Sequence, residues 1–137
     1  MHLPRQTVFQ AGALGPCRLR RGWYLYVGSA RGPGGLRARV GRHLRRGHER
    51  LHWHMDHLRP WVRIHAVWWT TLQTTQERDW VLAAARLPTA VAALPGFGAS
   101  DSTCSTHLFA FTRRPQFEAF REQAGAAWVT PVPQAWR

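Results

Sequence analysis

The stretch from Gly22 to Arg46 constrains the fold more than any other part of the chain. It begins with a run of aromatic and aliphatic residues, continues through a segment rich in glycine and ends in an arginine-rich pattern. Such an order predicts a strand, a loop and a helix that begins near Gly35. On that helix Leu36, Val40 and Leu44 are four apart and are expected to form a buried stripe.

Four side chains of this stretch form a candidate phosphodiester site. Tyr24 and Tyr26 are two apart and share one face of the strand, while Arg39 and His43 are four apart and flank the apolar stripe. The strand, loop and helix should therefore bring a tyrosine, a guanidinium and an imidazole together. Other arginines of the helix point elsewhere and are candidate phosphate contacts, namely Arg37, Arg42, Arg45 and Arg46.

The charge of the chain indicates an anionic partner. Its 137 residues carry nineteen basic and seven acidic side chains, a formal net charge of +12, and all nineteen basic residues are arginine. Most of the positive charge lies between Arg18 and Arg63, where only Glu49 and Asp56 oppose it. Nucleic acid is the first candidate partner, with guanidinium groups as phosphate donors.

Several separated motifs, in order along the chain, resemble one nuclease family. Tyr26-Val27-Gly28-Ser29, followed by Arg39 and His43, resembles the second half of the GIY-YIG nuclease motif. The longer pattern is similar to the small stand-alone Uri-type endonucleases and runs from about Leu3 to Phe111. Its segments are Tyr24–Ala30, His52–Asp56, Gly96–Asp101 and Ser105–Phe109.

The order of predicted strands and helices indicates an α+β fold, and the resemblance adds a small antiparallel sheet flanked by helices. The resemblance also implies a divalent-metal-dependent DNA endonuclease. Tyr26 would position or deprotonate the attacking water, and Arg39 would stabilise charge on the phosphate. Arg39 or the metal would have to lower the pKa of Tyr26, ordinarily about 10. His43 is expected to hydrogen-bond a tyrosine or a phosphate.

Around this centre the resemblance suggests further contacts with the nucleic acid or with the loops beside it. They are Tyr24, Ser29, Arg31, His52, His54, Asp101 and His107. His52 and Asp56 are four apart, so their side chains are expected to pair on a short helix whose apolar face carries Leu51, Met55 and Leu58. Ser102 stands where the branch usually has a cysteine, which favours a packed thiol for Cys104.

The metal ligand is expected on a helix that Thr75 caps and that runs through Arg86. Mg²⁺ or Mn²⁺ requires a carboxylate, and both Glu77 and Asp79 lie where the family places a glutamate. Helical geometry puts Glu77 on the apolar face and Asp79 about a quarter turn outside it. Glu77 is therefore the expected ligand and Asp79 the alternative. A zinc site of His54, His57, Cys104 and His107 matches structural zinc spacing only loosely, and packing roles are preferred.

The first half of the GIY-YIG motif is missing, because no tyrosine occurs before Tyr24. The first strand therefore appears truncated, and a start placed too far downstream is the preferred explanation, since the sheet edge would otherwise be unpaired. The alternative function is a nucleic-acid-binding protein that does not cleave, using its arginines on phosphates and Trp23 or Trp53 as stacking surfaces.

The remaining expectations concern the domain bounds, the later strands and helix, and the location of the protein. Residues 1–124 are expected to form a single nuclease-like domain and residues 125–137 a C-terminal tail. Three residues of that tail could dock on the body of the domain, namely Trp128, Val129 and Trp136. Val62–Thr70 alternates as a strand does, Leu108–Phe111 reads as a returning strand, and Phe117 and Phe120 face inward on a last helix. No secretory signal or membrane span is evident, so a cytoplasmic protein that does not bind membranes is expected.

Overall fold

A four-stranded antiparallel sheet forms the centre of the fold. The computed structural model describes residues 1–134. The strands are β1 (His2–Leu3), β2 (Thr7–Gln10), β3 (Pro16–Leu19), β4 (Gly22–Tyr26), β5 (Ala66–Trp69), β6 (Val91–Ala92), β7 (Leu108–Phe111) and β8 (Trp128–Pro131). The helices are α1 (Gly35–Leu44), α2 (His54–Leu58), α3 (Glu77–Ala85) and α4 (Phe117–Ala124).

The central sheet has the strand order β1-β4-β7-β6, and all its neighbouring pairs are antiparallel. Tyr26 pairs with Leu108, and Val27 extends the ladder by donating its N–H to the carbonyl oxygen of His107 over 3.0 Å. The small antiparallel sheet and its helices confirm the predicted α+β class. Because β4 and β7 are paired to their ends, the loop after Tyr26 meets the loop before Leu108.

The edge of β4 is paired, contrary to expectation. β1 pairs His2 with Trp23 and Leu3 with Gly22. The outer side of β1 is covered as well, because His2 and Arg63 exchange two backbone hydrogen bonds of 2.8 Å. The place beside β4 is therefore filled by a two-residue strand, which supplies no tyrosine.

Alternation along β4 and β7 divides the apolar residues between two clusters. One cluster includes Tyr24 and Leu108, and the other includes Val27 and Phe109. The hairpin of β2 and β3, which pairs Thr7 with Leu19, contributes to the first cluster. That cluster also contains Leu3, Phe9, Leu19, Met55, Leu58 and Phe97, while the second contains Val81, Ala84, Leu87, Phe111 and Phe120.

The helices lie where the sequence predicted them, but their burial and one of their caps differ from the prediction. α1 begins at Gly35, yet its stripe of Leu36, Val40 and Leu44 is only half-buried. α3 begins at Glu77 with Gln76 as its N-terminal cap, so the expected cap at Thr75 is wrong. The expected apolar face of α2 is wrong at Leu51, which precedes the helix and is 52% exposed.

The segment after α2 forms a shorter strand than predicted. Val62 and Ile64 are buried, but strand geometry is confined to β5, which lies outside the central sheet. β7 has its predicted bounds. β6 was not predicted, because two exposed residues give no periodic signal.

The expected tail contains a strand. β8 pairs along its whole length with β5, from Ala66 opposite Pro131 to Trp69 opposite Trp128. Val132 is buried and donates its N–H to the carbonyl oxygen of His65 over 2.8 Å. Trp136, named above as a possible docking residue, lies outside the described residues. Residues 128–132 are thus part of the folded structure.

Val132→Ala is expected to lower the free energy of unfolding by about 2 kcal/mol, because it removes two buried methyl groups. Val132 is 3% exposed, whereas Val129, three residues earlier, is 42% exposed and serves as the matched control. Urea denaturation of the full chain measures both variants. Equal effects of Val132→Ala and Val129→Ala would contradict the burial of this segment.

Candidate active site

Tyr26 is clamped between two glycines at the end of β4. A Cβ added at Gly28 would lie 3.1 Å from Cε1 of Tyr26 and 3.5 Å from Nη2 of Arg39. A Cβ at Gly98 would approach Cε2 of Tyr26 to 2.7 Å, and Gly98 has a φ of +71°. Both glycines therefore allow close backbone approach to the ring. The position of the phenol is fixed by main chain on two sides.

The phenol of Tyr26 is in its protonated form at neutral pH. Burial raises its pKa above the usual range, and the Arg39 guanidinium, which also hydrogen-bonds it, offsets only part of this effect. The carboxylate of Glu77 raises the pKa further. Arg39 thus lowers this pKa as expected, but burial outweighs its effect and the net shift is upward. The phenol oxygen accepts from Arg39, and its O–H can donate to a ligand.

Arg39 carries a positive charge that no carboxylate neutralises. Its guanidinium carbon lies 3.7 Å from the centre of the Trp53 ring, and that of Arg42 lies 4.8 Å from it. Among residues 1–134 no acidic side chain forms an ion pair with Arg39, and its Nε is buried without a hydrogen-bond partner. A cation held in this way can receive an anion. Trp53, covered by two guanidinium groups, is not the open stacking surface that the sequence suggested.

Asp56 connects α1 to α2 through a fully buried carboxylate. It accepts hydrogen bonds from Nη2 and Nε of Arg42 at 2.7 and 3.3 Å, and from the backbone N–H groups of His52 and Trp53 at 2.9 and 3.1 Å. Burial alone would raise the pKa of Asp56, but these hydrogen bonds together lower it to about 2. The predicted pairing of His52 with Asp56 is therefore made by the main chain and not by the imidazole.

His43 is neutral at physiological pH. Burial, followed by the charge of Arg39, lowers its pKa to about 4. Its ring stands edge-on to Tyr26 with centroids 5.8 Å apart, but both ring nitrogens are buried without a partner among the described residues. The expected hydrogen bond from His43 to a tyrosine is thus not made.

Glu77 faces the site from the first position of α3. His107, through a hydrogen bond from its imidazole, lowers the pKa of Glu77 in spite of burial, and the backbone N–H of Ser29 assists. Nδ1 of His107 lies 3.5 Å from the Glu77 carboxylate, and Nε2 lies 3.0 Å from the hydroxyl of Ser102. The carboxylate is therefore ionised, oriented and still 34% exposed.

Asp79, the alternative metal ligand, caps the first turn of α3. It is exposed, and its carboxylate accepts the backbone N–H of Gln76 over 3.1 Å, which closes the first turn of α3. Glu77 alone projects toward Tyr26 and Arg39, since both Glu77 and Arg39 influence the pKa of that phenol.

The residues present fit Mg²⁺ or Mn²⁺ with one protein ligand. No group of three or more histidines, cysteines, aspartates or glutamates that could hold a metal occurs in residues 1–134. Mg²⁺ commonly keeps several waters and binds one or two carboxylates together with phosphate oxygens, which the ionised, half-exposed Glu77 allows. The zinc set is not assembled, because His54 and His107 bond to Gly98 and Ser102.

Two cavities meet at Gly28. A groove of mixed polarity and about 440 Å³ runs between the loop of residues 28–35 and the segment of residues 68–77, with Glu77 in its wall. A smaller, mainly apolar cavity of about 150 Å³ lies beside α1, lined by its apolar stripe and by Tyr26, Arg39 and His43. Gly28, Leu36 and Trp80 line both, so the three polar groups of the cavity and the carboxylate of the groove lie on either side of a shared wall.

Several expected nucleic-acid contacts are instead internal supports. Tyr24 is buried and donates its hydroxyl to the Arg20 carbonyl oxygen over 2.6 Å. His54 accepts the N–H of Gly98, and His107 is buried against Glu77.

Two of the expected arginine contacts also have internal partners. Arg31 is exposed but donates to the carbonyl oxygens of Gln73 and Thr75, and Arg42 binds Asp56. Ser29 accepts the Arg31 N–H with its hydroxyl.

The other expected contacts lie at the surface. Arg37 and Arg45 are exposed on α1 and just after it, and Arg45 donates weakly to the Gly41 carbonyl oxygen at 3.4 Å. Arg46, His52 and Asp101 are also exposed.

Sequence reasoning missed Gly98 and Ser102, whose only signal is the loop that resembles the nuclease branch. Gly98 makes room for Tyr26, and Ser102 bonds the imidazole that orients Glu77. Neither role follows from spacing along the chain, because Ser102 lies 25 residues from Glu77.

A family model described as "Domain of unknown function DUF123" matches residues 1–129. The chain belongs to this DUF123 family. The match includes Tyr26, Arg39, His43 and Glu77 and extends into β8. No curated protein and no solved structure matches the chain. In this DUF123 protein, none of the helices in the described residues has the length and apolar character needed to cross a membrane.

Stability at low pH should depend on Asp56. Its pKa of about 2 in the folded protein lies below the unfolded value of 3.8, so its stabilisation is present above pH 3.8 and is lost as the pH falls through about 2. The loss should reach about 2 kcal/mol. Urea denaturation between pH 5 and pH 2 measures it, and Asp56→Asn should remove this part of the pH dependence.

Asp101→Asn is the matched control, because Asp101 is exposed and its carboxylate forms no hydrogen bond or ion pair with the described residues. It should retain the wild-type pH dependence. An unchanged acid transition in Asp56→Asn would show that Asp56 does not link α1 to α2 as described.

Proposed function

We propose that this protein is a divalent-metal-dependent endonuclease that hydrolyses phosphodiester bonds in DNA. One observation carries the proposal: the phenol of Tyr26, clamped by Gly28 and Gly98, lies beside the Arg39 guanidinium, which forms no ion pair with a carboxylate of the described residues, and within electrostatic reach of the half-exposed Glu77 carboxylate on α3. The resemblance to GIY-YIG nucleases assigns catalytic roles to the same three residues. Phosphodiester hydrolysis needs this set of charges.

Each residue has a role that its surroundings support. Arg39 would bind the scissile phosphate and stabilise the charge that develops on its oxygens. Glu77 would hold Mg²⁺ or Mn²⁺, which when bound supplies positive charge to the leaving oxygen. Tyr26, protonated at neutral pH, would donate a hydrogen bond that orients the attacking water or the phosphate. His43 is neutral beside Arg39, so the Arg39 guanidinium is the fixed positive charge on this side of the candidate site.

Charge supports DNA as the substrate. The net charge of +12 attracts a polyanion, and exposed arginines such as Arg37 and Arg45 are available along α1. Arg42 is excluded from this set, because it is engaged by Asp56. A cytoplasmic location goes with this proposal, and the unpaired thiols of Cys17 and Cys104 are compatible with it.

Arg39→Ala is expected to reduce cleavage of labelled DNA in Mg²⁺ by about a hundredfold or more, because it removes a preorganised charge from the phosphate site. Arg37→Ala removes an exposed arginine from the same helix and is the matched control, because loss of a peripheral phosphate contact weakens DNA binding but should leave the cleavage rate at saturating DNA close to wild type. Gel-based cleavage rates with circular dichroism of each variant measure this. Full activity in folded Arg39→Ala would remove the basis of the assignment.

Glu77→Gln is expected to abolish Mg²⁺-dependent cleavage while DNA affinity in chelator stays largely intact, because the amide cannot supply an anionic ligand. Asp79→Asn should retain most activity, since an asparagine oxygen can still accept the Gln76 N–H that caps α3. The two variants are compared in cleavage and in fluorescence anisotropy. The reverse ranking, with both variants folded, would move the metal ligand to Asp79.

The alternative of a nucleic-acid-binding protein without catalysis is distinguished by the same experiments. Binding requires only exposed arginines, whereas cleavage requires Arg39 and Glu77. Salt-dependent binding without any cleavage in Mg²⁺ or Mn²⁺ would favour the alternative.

A further inference from the structure

Two tryptophans form an aromatic surface at the end of the β5–β8 ribbon. Trp69 and Trp128 are directly opposite each other in the ladder, and their rings stack with centroids 5.4 Å apart and an angle of 24°. Nε1 of Trp69 donates to the hydroxyl of Thr130 over 3.0 Å, which fixes that ring. Trp128 is 45% exposed. We call Trp69 and Trp128 the tryptophan platform.

The platform adjoins the groove that contains Glu77 through one of its two rings. Trp69, Thr70, Thr71, Ser29 and Glu77 all line that groove, and Trp128 stacks on Trp69 beside it. The aromatic surface therefore lies next to the groove of the candidate metal ligand. Its wall offers hydroxyl and amide groups, including those of Thr71 and Gln76, as hydrogen-bond partners.

Most other tryptophan rings in the described residues are already covered, and Trp61, which is 39% exposed, stacks on no aromatic ring. Trp53 lies under Arg39 and Arg42, Trp68 and Trp80 pack against Phe120, and Trp23 packs against His2 and His65. Trp128 differs because it is stacked on Trp69 and still has nearly half of its surface exposed.

We propose that the tryptophan platform stacks unpaired bases and makes single-stranded DNA the preferred ligand of this groove. The inference rests on the proposed DNA-directed function of the Glu77 site. In a duplex the bases are stacked on one another and their faces are inaccessible, whereas an unpaired base can stack on an exposed indole. The net charge of +12 supplies the complementary attraction for the backbone that accompanies those bases.

The test compares binding of three fluorescent probes to the full chain in chelator, by anisotropy. The probes are a thymidine oligonucleotide, an abasic oligonucleotide with the same number of phosphates, and a blunt duplex. Trp128→Ala should weaken binding of the thymidine oligonucleotide roughly 5- to 150-fold, since base stacking on an aromatic side chain carries that share of affinity. Binding of the abasic probe and the duplex should change little, because phosphate contacts remain.

Control variants separate stacking from folding. Trp61→Ala removes a tryptophan that is 39% exposed but, unlike Trp128, is not stacked on a residue of the groove, so it should bind all probes as wild type does. Trp128→Phe should restore most of the affinity. If Trp128→Ala does not fold, Trp128→Leu keeps the apolar bulk without an aromatic face and should show the same loss.

The outcomes distinguish this inference from the proposed function. Unchanged thymidine binding in folded Trp128→Ala or Trp128→Leu would overturn the platform while leaving cleavage by Glu77 and Arg39 to its own test. Equal losses for the abasic and thymidine probes would also overturn it. A change from dimer to monomer in light scattering without a change in affinity would make this surface a contact between copies. Failure of the wild type to bind any probe would overturn both proposals.

Discussion

The buried carboxylate of Asp56 is the interaction on which the candidate site depends. Transferring an isolated carboxylate into a protein interior costs several kcal/mol, so its burial requires compensation from several donors at once. Arg42 on α1 and two backbone N–H groups before α2 provide that compensation. One of those groups belongs to Trp53, and its ring supports Arg39. Asp56 thus controls the orientation of a guanidinium that it does not touch.

Support by an aromatic ring has a different electrostatic consequence from support by a carboxylate. A cation–π contact contributes about 0.5 to 2 kcal/mol and leaves the formal charge of the cation in place. Arg39 is held in this way, whereas Arg42 is paired with Asp56. Two arginines three residues apart on one helix therefore differ in function. Arg39 can still bind a phosphate, whereas Arg42 is paired with Asp56 and has a structural role.

Local patterns in the sequence predicted the elements that local energetics determine. Four-residue spacing placed α1, and apolar residues bounded by loop residues gave β7 its limits. The pattern failed where a distant partner decides the structure. Trp128–Pro131 lacks a clear strand signal, and its strand geometry comes from pairing with β5, about sixty residues earlier. At Gln76 the cap depends on Asp79, three residues later, whereas the sequence analysis predicted the cap at Thr75.

In the candidate site, too, the sequence predicted what local spacing determines and missed what distant partners determine. Spacing within one helix put Arg39 and His43 on one side of α1 and separated Glu77 from Asp79. Spacing could not show that Arg42 binds Asp56, that His54 accepts the Gly98 N–H, or that Tyr24 is buried. These contacts join segments whose relative positions are fixed only by the complete fold. Six residues expected to touch nucleic acid consequently have internal partners, namely Tyr24, Ser29, Arg31, Arg42, His54 and His107.

The loop before β7 determines how Glu77 is presented. Glu77 is the first residue of α3, where the helix dipole favours a negative charge but does not fix the direction of a flexible side chain. Direction comes from His107, whose ring is held by Ser102 and whose backbone N–H donates to the Phe97 carbonyl oxygen over 2.8 Å. Gly98 in the same loop contacts the ring of Tyr26. One loop therefore contacts both the carboxylate and the phenol, and it links α3 to the end of β4 across the candidate site.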